Sequence, residues 1–250
     1  MPIIIAHRGH SVGAPEQTLA AFRIALELGA TMLEADVRRT ADGALVLLHD
    51  RAVDRTTDGS GLIDELPLEV ARALDAGGWF DPGFAGQRIP TLDELFDLAE
   101  RYDADLCLEV KGEQHDQTAG LAIELAAVLR DRGRLDRDVL ASFDHAALRK
   151  ARVAVPGVRL APDRLPERGP TSAEALIAQA HAIGAQIIQH HFADLDAETV
   201  AQTQAAGIEV WAWPATEQVD IERMAAWGVA GIMGDDAAAL AQLASDGRRD

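Results

Sequence analysis

The chain contains few cysteines, lysines and aromatic residues, and it has no long apolar run. Its single cysteine, Cys107, excludes an intramolecular disulfide framework and a cysteine-rich zinc site. No stretch approaches the roughly 18 consecutive apolar residues that indicate a membrane span. Residues 1–10 also lack the basic flank and apolar length of a signal peptide. These absences predict a soluble cytoplasmic protein.

Positive charge is scarce, since 23 Lys and Arg residues face 41 Asp and Glu residues, giving a net charge of −18. An acidic surface of this kind repels nucleic acid and anionic lipid, which argues against both as partners. Apolar residues make up 48% of the 250 residues, enough for a sizeable core, so general disorder is excluded. A small-molecule substrate is the partner class we expect, and the oligomeric state is left open.

Short apolar segments alternate with segments of helical apolar spacing along the whole chain. Several predicted helices end at a glycine just before the next strand, as at Gly29 and Gly184. Eight strand–helix units in this length predict a (β/α)8 TIM barrel, with an open doubly wound sheet as the alternative. The predicted strands are residues 2–6, 32–37, 106–110, 139–143, 158–161, 186–189, 208–213 and 231–233.

One connection is much longer than a barrel loop requires. Residues 51–90, about forty in number, are polar and punctuated by Gly and Pro after the second strand. Before them, Asp42-Gly43 predicts a hairpin that returns the chain through residues 45–48 to His49. We therefore expect one catalytic domain, residues 1–250, with an inserted subdomain, residues 51–90, above the carboxyl ends of the strands.

Ionisable residues inside predicted strands are informative, because barrel interiors are normally filled by Val, Ile and Leu. Glu34 and Asp36 share one face of the second strand, and Glu109 and Lys111 share one face of the third. Carboxylates aimed at one point repel each other unless a cation lies between them. An all-oxygen set predicts a hard divalent ion, Mg²⁺ or Ca²⁺.

The remaining polar residues at these strand ends suit a phosphate ester. Arg8 and Lys111 supply cationic donors beside the predicted metal. His7 and His49 can supply a general base and a general acid near neutral pH. The residues therefore predict a divalent-cation site that holds a phosphate group beside a candidate acid–base pair.

The motifs resemble those of the glycerophosphodiester phosphodiesterase family of the bacterial cytosolic type, within the phosphatidylinositol phospholipase C-like superfamily. They follow the family's order over about 230 residues. The matching stretches are His7-Arg8-Gly9, Pro15-Glu16-Gln17-Thr18, Glu34-Ala35-Asp36-Val37, Leu45-Val46-Leu47-Leu48-His49-Asp50, Asp54-Arg55-Thr56-Thr57, Gly59-Ser60-Gly61, Ile89-Pro90-Thr91-Leu92, Leu108-Glu109-Val110-Lys111 and Val210-Trp211.

The resemblance implies hydrolysis of glycerophosphodiesters, such as glycerophosphocholine or glycerophosphoethanolamine, to sn-glycerol 3-phosphate and an alcohol. It assigns one divalent cation, Mg²⁺ or Ca²⁺, to the residues aligned with Glu34, Asp36 and Glu109. It assigns acid–base roles to His7 and His49 and phosphate binding to Arg8 and Lys111. Trp211 is expected to form a wall of the substrate pocket. The alternatives are a related barrel that cleaves lysophospholipids and a non-catalytic barrel that binds a phosphate ligand.

Three positions depart from the family's pattern. Gln17 stands where Asn is usual. Trp211-Ala212-Trp213-Pro214 replaces Trp-Thr-Val-Asn, and Gly234-Asp235-Asp236-Ala237 replaces Thr-Asp-x-Pro. We expect the last two departures to affect recognition of the leaving alcohol more than the reaction.

Overall fold

The structure is a computed structural model that describes residues 1–164 and 171–246. Within these ranges the strands are β1 (Ile3–His7), β2 (Met32–Arg39), β3 (Leu45–Leu47), β4 (Asp105–Val110), β5 (Val139–Ser142), β6 (Arg159–Arg164), β7 (Ile187–His191), β8 (Glu209–Ala215) and β9 (Gly231–Gly234). The α-helices are α1 (Leu19–Glu27), α2 (Leu68–Ala73), α3 (Leu92–Tyr102), α4 (His115–Asp131), α5 (His145–Ala154), α6 (Ala173–Ile183), α7 (Ala197–Ala205), α8 (Gln218–Ala226) and α9 (Ala237–Asp246). Short 3₁₀ turns lie at Ile63–Glu65, Pro82–Phe84 and Phe192–Asp194.

Eight parallel strands close into a barrel. β1 pairs in parallel with both β2 and β9, and β4 to β9 follow in chain order around the remaining circumference. β3 lies outside the ring as an antiparallel partner of β2. The predicted TIM barrel is therefore confirmed, and the open doubly wound sheet is excluded, because an open sheet has no pairing between its first and last strands.

The helices surround the barrel, and capping residues and glycines mark several of their ends. Thr91 and Glu94 form a reciprocal capping box at the start of α3. Gly29 and Gly184, predicted as helix ends, adopt φ angles of 107° and 70°, the left-handed region that glycine enters most easily. None of the described helices is long and apolar enough to cross a membrane.

Side chains that point into the barrel alternate along each strand with side chains that pack against the helices. The buried layer inside the barrel is apolar and contains Ile5, Met32, Cys107, Val139, Ala141, Ala161, Ile187, Trp211 and Met233. Two positions further along the strands, toward their carboxyl ends, the inward residues become polar or aromatic: His7, Glu34, Glu109, Phe143, Asp163, Gln189, Trp213 and Asp235. The period of two thus places a polar mouth directly above an apolar barrel core.

The chain between β3 and α3 has a small core of its own. β2 and β3 form the predicted hairpin, closed by a backbone hydrogen bond from Thr40 to Ala44 and by Gly43 at φ 91°. The buried cluster above it is separate from the two larger ones and consists of Val46, Leu48, Val53, Ile63, Ala71, Ala76 and Ile89. This packing holds the segment against the β2–β3 hairpin, next to the barrel mouth.

Candidate active site

Three carboxylates meet at the carboxyl ends of β2 and β4. One oxygen each from Glu34, Asp36 and Glu109 lies within 4.8 Å of the others. The three residues are buried, with exposures of 1%, 0% and 9%. Oε1 of Glu34 is buried without a hydrogen-bond partner, which is costly in a protein interior. This orphaned oxygen within an all-oxygen donor set fits a divalent cation.

The pKa values of the three carboxyl groups reflect two opposing influences: burial and mutual repulsion raise them, and the neighbouring cations lower them. Burial, with the charges of Asp36 and Glu109, raises the pKa of Glu34 well above its usual range. Burial and the charge of Asp36 raise the pKa of Glu109 to about 7, although Lys111 opposes the shift. Burial also disfavours ionised Asp36, but the positive charges of Lys111 and Arg8 outweigh burial and lower the pKa of that carboxyl. Lys111 and Arg8 therefore do not fully offset the negative charge of the three carboxylates, and a bound cation would supply further positive charge.

Two cationic side chains border the carboxylates. Nζ of Lys111 lies 2.9 Å from Oδ1 of Asp36 and 2.6 Å from Oε1 of Glu109. Nε of Arg8 lies 3.2 Å from Oδ2 of Asp36, and its NH1 donates to Oε1 of Glu16 at 3.1 Å. Both cations retain some exposure at the mouth, 14% for Lys111 and 19% for Arg8. They can therefore contact an anionic group placed above the carboxylates.

The loop after β1 has unusual backbone angles, which account for the glycine at position 9 and bear on the glutamine at position 17. Arg8, Gly9 and Gln17 all have positive φ angles, 58°, 89° and 58°. A Cβ atom at Gly9 would lie 2.6 Å from the backbone carbon of Ala21, so only glycine fits there. Gln17 occupies a conformation that Asn tolerates better, yet its longer amide donates to Oδ2 of Asp36 at 2.7 Å. Although Gln17 replaces the usual Asn, its side chain is hydrogen-bonded to the acidic cluster.

His7 is held by the last barrel strand. Its Nδ1 lies 2.6 Å from Oδ1 of Asp235, whose pKa is lowered because the hydrogen bond and charge of His7 outweigh burial. An ionised carboxylate accepts, so Nδ1 of His7 carries the proton and Nε2 is left free. His7 also pairs in register with Glu34, which places the imidazole beside the carboxylates.

His49 reaches the same mouth from the end of the hairpin. The guanidinium of Arg38 donates to its carbonyl oxygen at 2.9 and 2.7 Å. Nδ1 of His49 lies 2.7 Å from Oδ1 of Asp50, and Arg55 in turn pairs with Asp50. Burial lowers the pKa of His49, while the charge of nearby Asp36 opposes that shift. The imidazole is therefore fixed in place and close to the carboxylates.

Glu16 connects the first loop to the segment after the hairpin. Its carboxylate accepts from Arg8 at 3.1 Å and from Arg55 at 2.7 and 2.9 Å. These contacts organise the first loop. Through Arg55 and Asp50 this bridge extends to His49.

The position of Trp211 does not fit its expected role as a pocket wall. Trp211 is fully buried in the apolar layer inside the barrel, and its indole N–H donates to Oε2 of Glu209 at 3.1 Å. Trp213, two residues further along β8, is the tryptophan at the mouth, where it contacts Phe143 and His191. Residues two apart on a strand share a face, so both tryptophans point inward, and only the one nearer the carboxyl end lies at the mouth.

Several site residues escaped the sequence analysis. Asp235 was noted only as part of a departure from the family pattern, yet it holds His7. Asp163 is 3% exposed and accepts from Gln189, while its Oδ2 has no partner. Burial and the charge of Glu109 raise the pKa of Asp163 well above its usual range. Counting two positions onward from each apolar inward residue would have found these residues.

The chain is similar to known proteins over most of its length. The model of the glycerophosphoryl diester phosphodiesterase family matches residues 7–239. A glycerophosphodiester phosphodiesterase of Caldanaerobacter subterraneus subsp. tengcongensis is 34% identical over 248 residues, covering 98% of both chains.

Solved structures show the same likeness. A phosphodiesterase from Oleispira antarctica, in complex with the product sn-glycerol-3-phosphate, is 30% identical and superposes with a TM-score of 0.85. That match covers 98% of this chain and 97% of the other. A glycerophosphodiester phosphodiesterase from Agrobacterium tumefaciens is 27% identical, with a TM-score of 0.82, covering 97% of this chain and all of the other.

Proposed function

Since the chain belongs to the glycerophosphoryl diester phosphodiesterase family, we propose that it cleaves its substrates with the residues gathered at the barrel mouth. The protein is a glycerophosphodiester phosphodiesterase. We propose glycerophosphocholine and glycerophosphoethanolamine as substrates, with sn-glycerol 3-phosphate and the free alcohol as products. The observation that carries the proposal is the meeting of three buried carboxylates, two cations and two histidines at one mouth.

We propose that one divalent cation, Mg²⁺ or Ca²⁺, is held by Glu34, Asp36 and Glu109. When bound, such a cation withdraws charge from the non-bridging phosphate oxygens. The unpartnered Oε1 of Glu34 and the raised pKa of Glu109 support this assignment, because both are relieved by positive charge at that point.

Arg8 and Lys111 would bind the phosphate. Each already contacts Asp36, so each is held at the edge of the carboxylate cluster. Arg8 has a planar fork of donors that suits two phosphate oxygens, whereas the Lys111 ammonium is a compact charge. Together they would neutralise the charge on the non-bridging oxygens and orient the ester for in-line attack.

The two histidines would move the protons. We assign His7 as the base, which takes a proton at Nε2 from the attacking group. If water attacks, sn-glycerol 3-phosphate forms directly. If the glycerol 2-hydroxyl attacks, a cyclic phosphate forms first, and water then opens it to sn-glycerol 3-phosphate. We assign His49 as the acid, which gives a proton to the oxygen of the leaving alcohol as the P–O bond breaks. Asp235 and Asp50 hold the Nδ1 atoms, and this leaves both Nε2 atoms available for transfer.

The connection after the hairpin has a positioning role in this proposal. We propose that residues 1–250 act as one catalytic domain and that residues 51–90 form an inserted subdomain. Arg55, from that segment, pairs with both Asp50 and Glu16. The subdomain would thereby fix the acid His49 relative to the phosphate-binding Arg8.

The test is release of sn-glycerol 3-phosphate from glycerophosphocholine, followed with a coupled dehydrogenase. Chelator-treated protein is assayed before and after addition of Mg²⁺ or Ca²⁺, with lysophosphatidylcholine as the comparison substrate. The proposal expects cation-dependent release from glycerophosphocholine and little turnover of the lysophospholipid. Full activity in protein shown to be metal-free, or preference for the lysophospholipid, contradicts it.

A further inference from the structure

The strands facing the acidic cluster carry an aromatic wall, formed by Phe143, His191 and Trp213. The Phe143 and Trp213 ring centroids are 6.1 Å apart with planes at 80°. The His191 and Trp213 centroids are 5.5 Å apart with planes at 72°. Phe192 stacks on His191 from behind, at 5.4 Å and 15°. Two rings therefore stand nearly perpendicular to the indole, and the wall presents aromatic surfaces in more than one direction.

One member of this wall, Phe143, lines a groove that also contains proposed catalytic-site residues. A groove of about 650 Å³ begins at Glu109 and Lys111 and extends past Ser142 to Phe143 and Asp144. Phe143 is 44% exposed, unusually open for a large apolar side chain. A substrate whose phosphate lies at Lys111 can therefore extend its alcohol along the groove to Phe143, which contacts Trp213.

Two buried polar atoms on this side of the mouth have no partner. They are Oδ2 of Asp163, on the strand between those that carry Phe143 and His191, and Nε1 of Trp213. Buried polar groups are rarely left unpaired without a functional reason. His191 does not add positive charge, because its Nδ1 accepts from the backbone N–H of Ala193 and burial lowers its pKa. The wall is thus aromatic, uncharged at neutral pH and bordered by an unsatisfied carboxyl.

We propose that Phe143, His191 and Trp213 form the leaving-alcohol subsite and select a quaternary ammonium headgroup of the choline type. A trimethylammonium group has no N–H to donate, so it is recognised by aromatic faces and by nearby carboxyl oxygens. A primary ammonium such as that of ethanolamine needs three acceptors and loses more when it leaves water. Trp213 lies in the segment Trp211–Pro214, which departs from the family's pattern.

This inference rests on the proposed function, and its test separates the two. The substrates are glycerophosphocholine and its neutral isostere, the 3,3-dimethylbutyl ester, in which carbon replaces the ammonium nitrogen. Cation–π recognition predicts that kcat/KM is about 10-fold higher for glycerophosphocholine. Trp213→Leu keeps apolar bulk without the ring, and should bring the ratio of the two kcat/KM values close to one.

Phe143→Leu should reduce the same ratio of kcat/KM values. This variant replaces Trp213→Leu as the test if circular dichroism shows that Trp213→Leu is not folded. Trp227→Leu is the matched control, because Trp227 follows α8 at the opposite end of the barrel and should leave the ratio unchanged. Equal kcat/KM values in the wild type, or an unchanged ratio in both folded wall variants, overturn the inference while the proposed hydrolysis stands. Absence of glycerol 3-phosphate release from both esters overturns the proposed function itself.

Discussion

Nδ1 of His7 lies 2.6 Å from Oδ1 of Asp235, although the two residues are 228 positions apart in the chain. The contact exists because β1 pairs with β9 when the barrel closes. It sets which imidazole nitrogen carries the proton and leaves Nε2 of His7 free to act as a base. Closure of the fold therefore selects the tautomer of the proposed base.

Asp235→Asn should lower kcat by at least about 10²-fold while KM changes little, because an amide can donate to Nδ1 and favour the wrong tautomer. Steady-state kinetics on glycerophosphocholine measure this. Asp236→Asn is the control, since Asp236 caps α9 and Asn caps equally well. Equal kinetics for the two variants would remove Asp235 from the account.

His7→Ala and His49→Ala should each reduce turnover by about 10²–10⁴-fold. The two roles can be separated with a p-nitrophenyl ester, whose leaving group needs no proton. That ester should partly restore His49→Ala and leave His7→Ala inactive. Rescue of His7→Ala alone would exchange the two assignments, and near-wild-type turnover of either variant would take that histidine out of the mechanism.

Lys111→Met should abolish activity, and Lys111→Arg should not restore it. Nζ of Lys111 fits between Oδ1 of Asp36 and Oε1 of Glu109, whereas a guanidinium is wider and fixes its donors in a fork. A displacement of about 1 Å can cost on the order of 10²-fold in rate. A Lys111→Arg enzyme within a few-fold of the wild type would show that only the charge matters.

Metal affinity should increase as the pH is raised through about 7. The pKa of Glu109 is raised to about 7 by burial and by Asp36, and that of Glu34 is raised as well, so both hold protons at lower pH. A cation must displace those protons, so binding releases them and is weakened by acid. Calorimetry in buffers of different ionisation enthalpy measures the release, and Glu109→Gln should reduce it. An affinity independent of pH from about 6 to 8 contradicts the prediction.

The barrel could be predicted because the sequence patterns that indicate its strands and helices lie within short stretches of the chain. Inward residues repeat every second position, and glycines such as Gly29 end helices just before strands. The acidic cluster could be predicted for the same reason, because Glu34 and Asp36 share a strand face and Glu109 lies on the next parallel strand. Motif order then added the two histidines and the two cations.

The remaining contacts depend on how the chain closes in space. Nothing local to Asp235 indicates that it faces His7, and nothing local to Arg55 indicates that it bridges Asp50 and Glu16. The choice between Trp211 and Trp213 also depended on depth, because both point inward and only Trp213 lies at the mouth. Depth is set by strand stagger around the barrel, which periodicity alone does not reveal.

The most direct test of the central claim is a crystal structure of the protein grown with Mn²⁺ and sn-glycerol 3-phosphate, with anomalous diffraction used to locate the cation. The account predicts one anomalous peak coordinated by Glu34, Asp36 and Glu109, with the phosphate contacting Arg8 and Lys111. A cation bound elsewhere, with these three carboxylates still bonded only to protein groups, would contradict it.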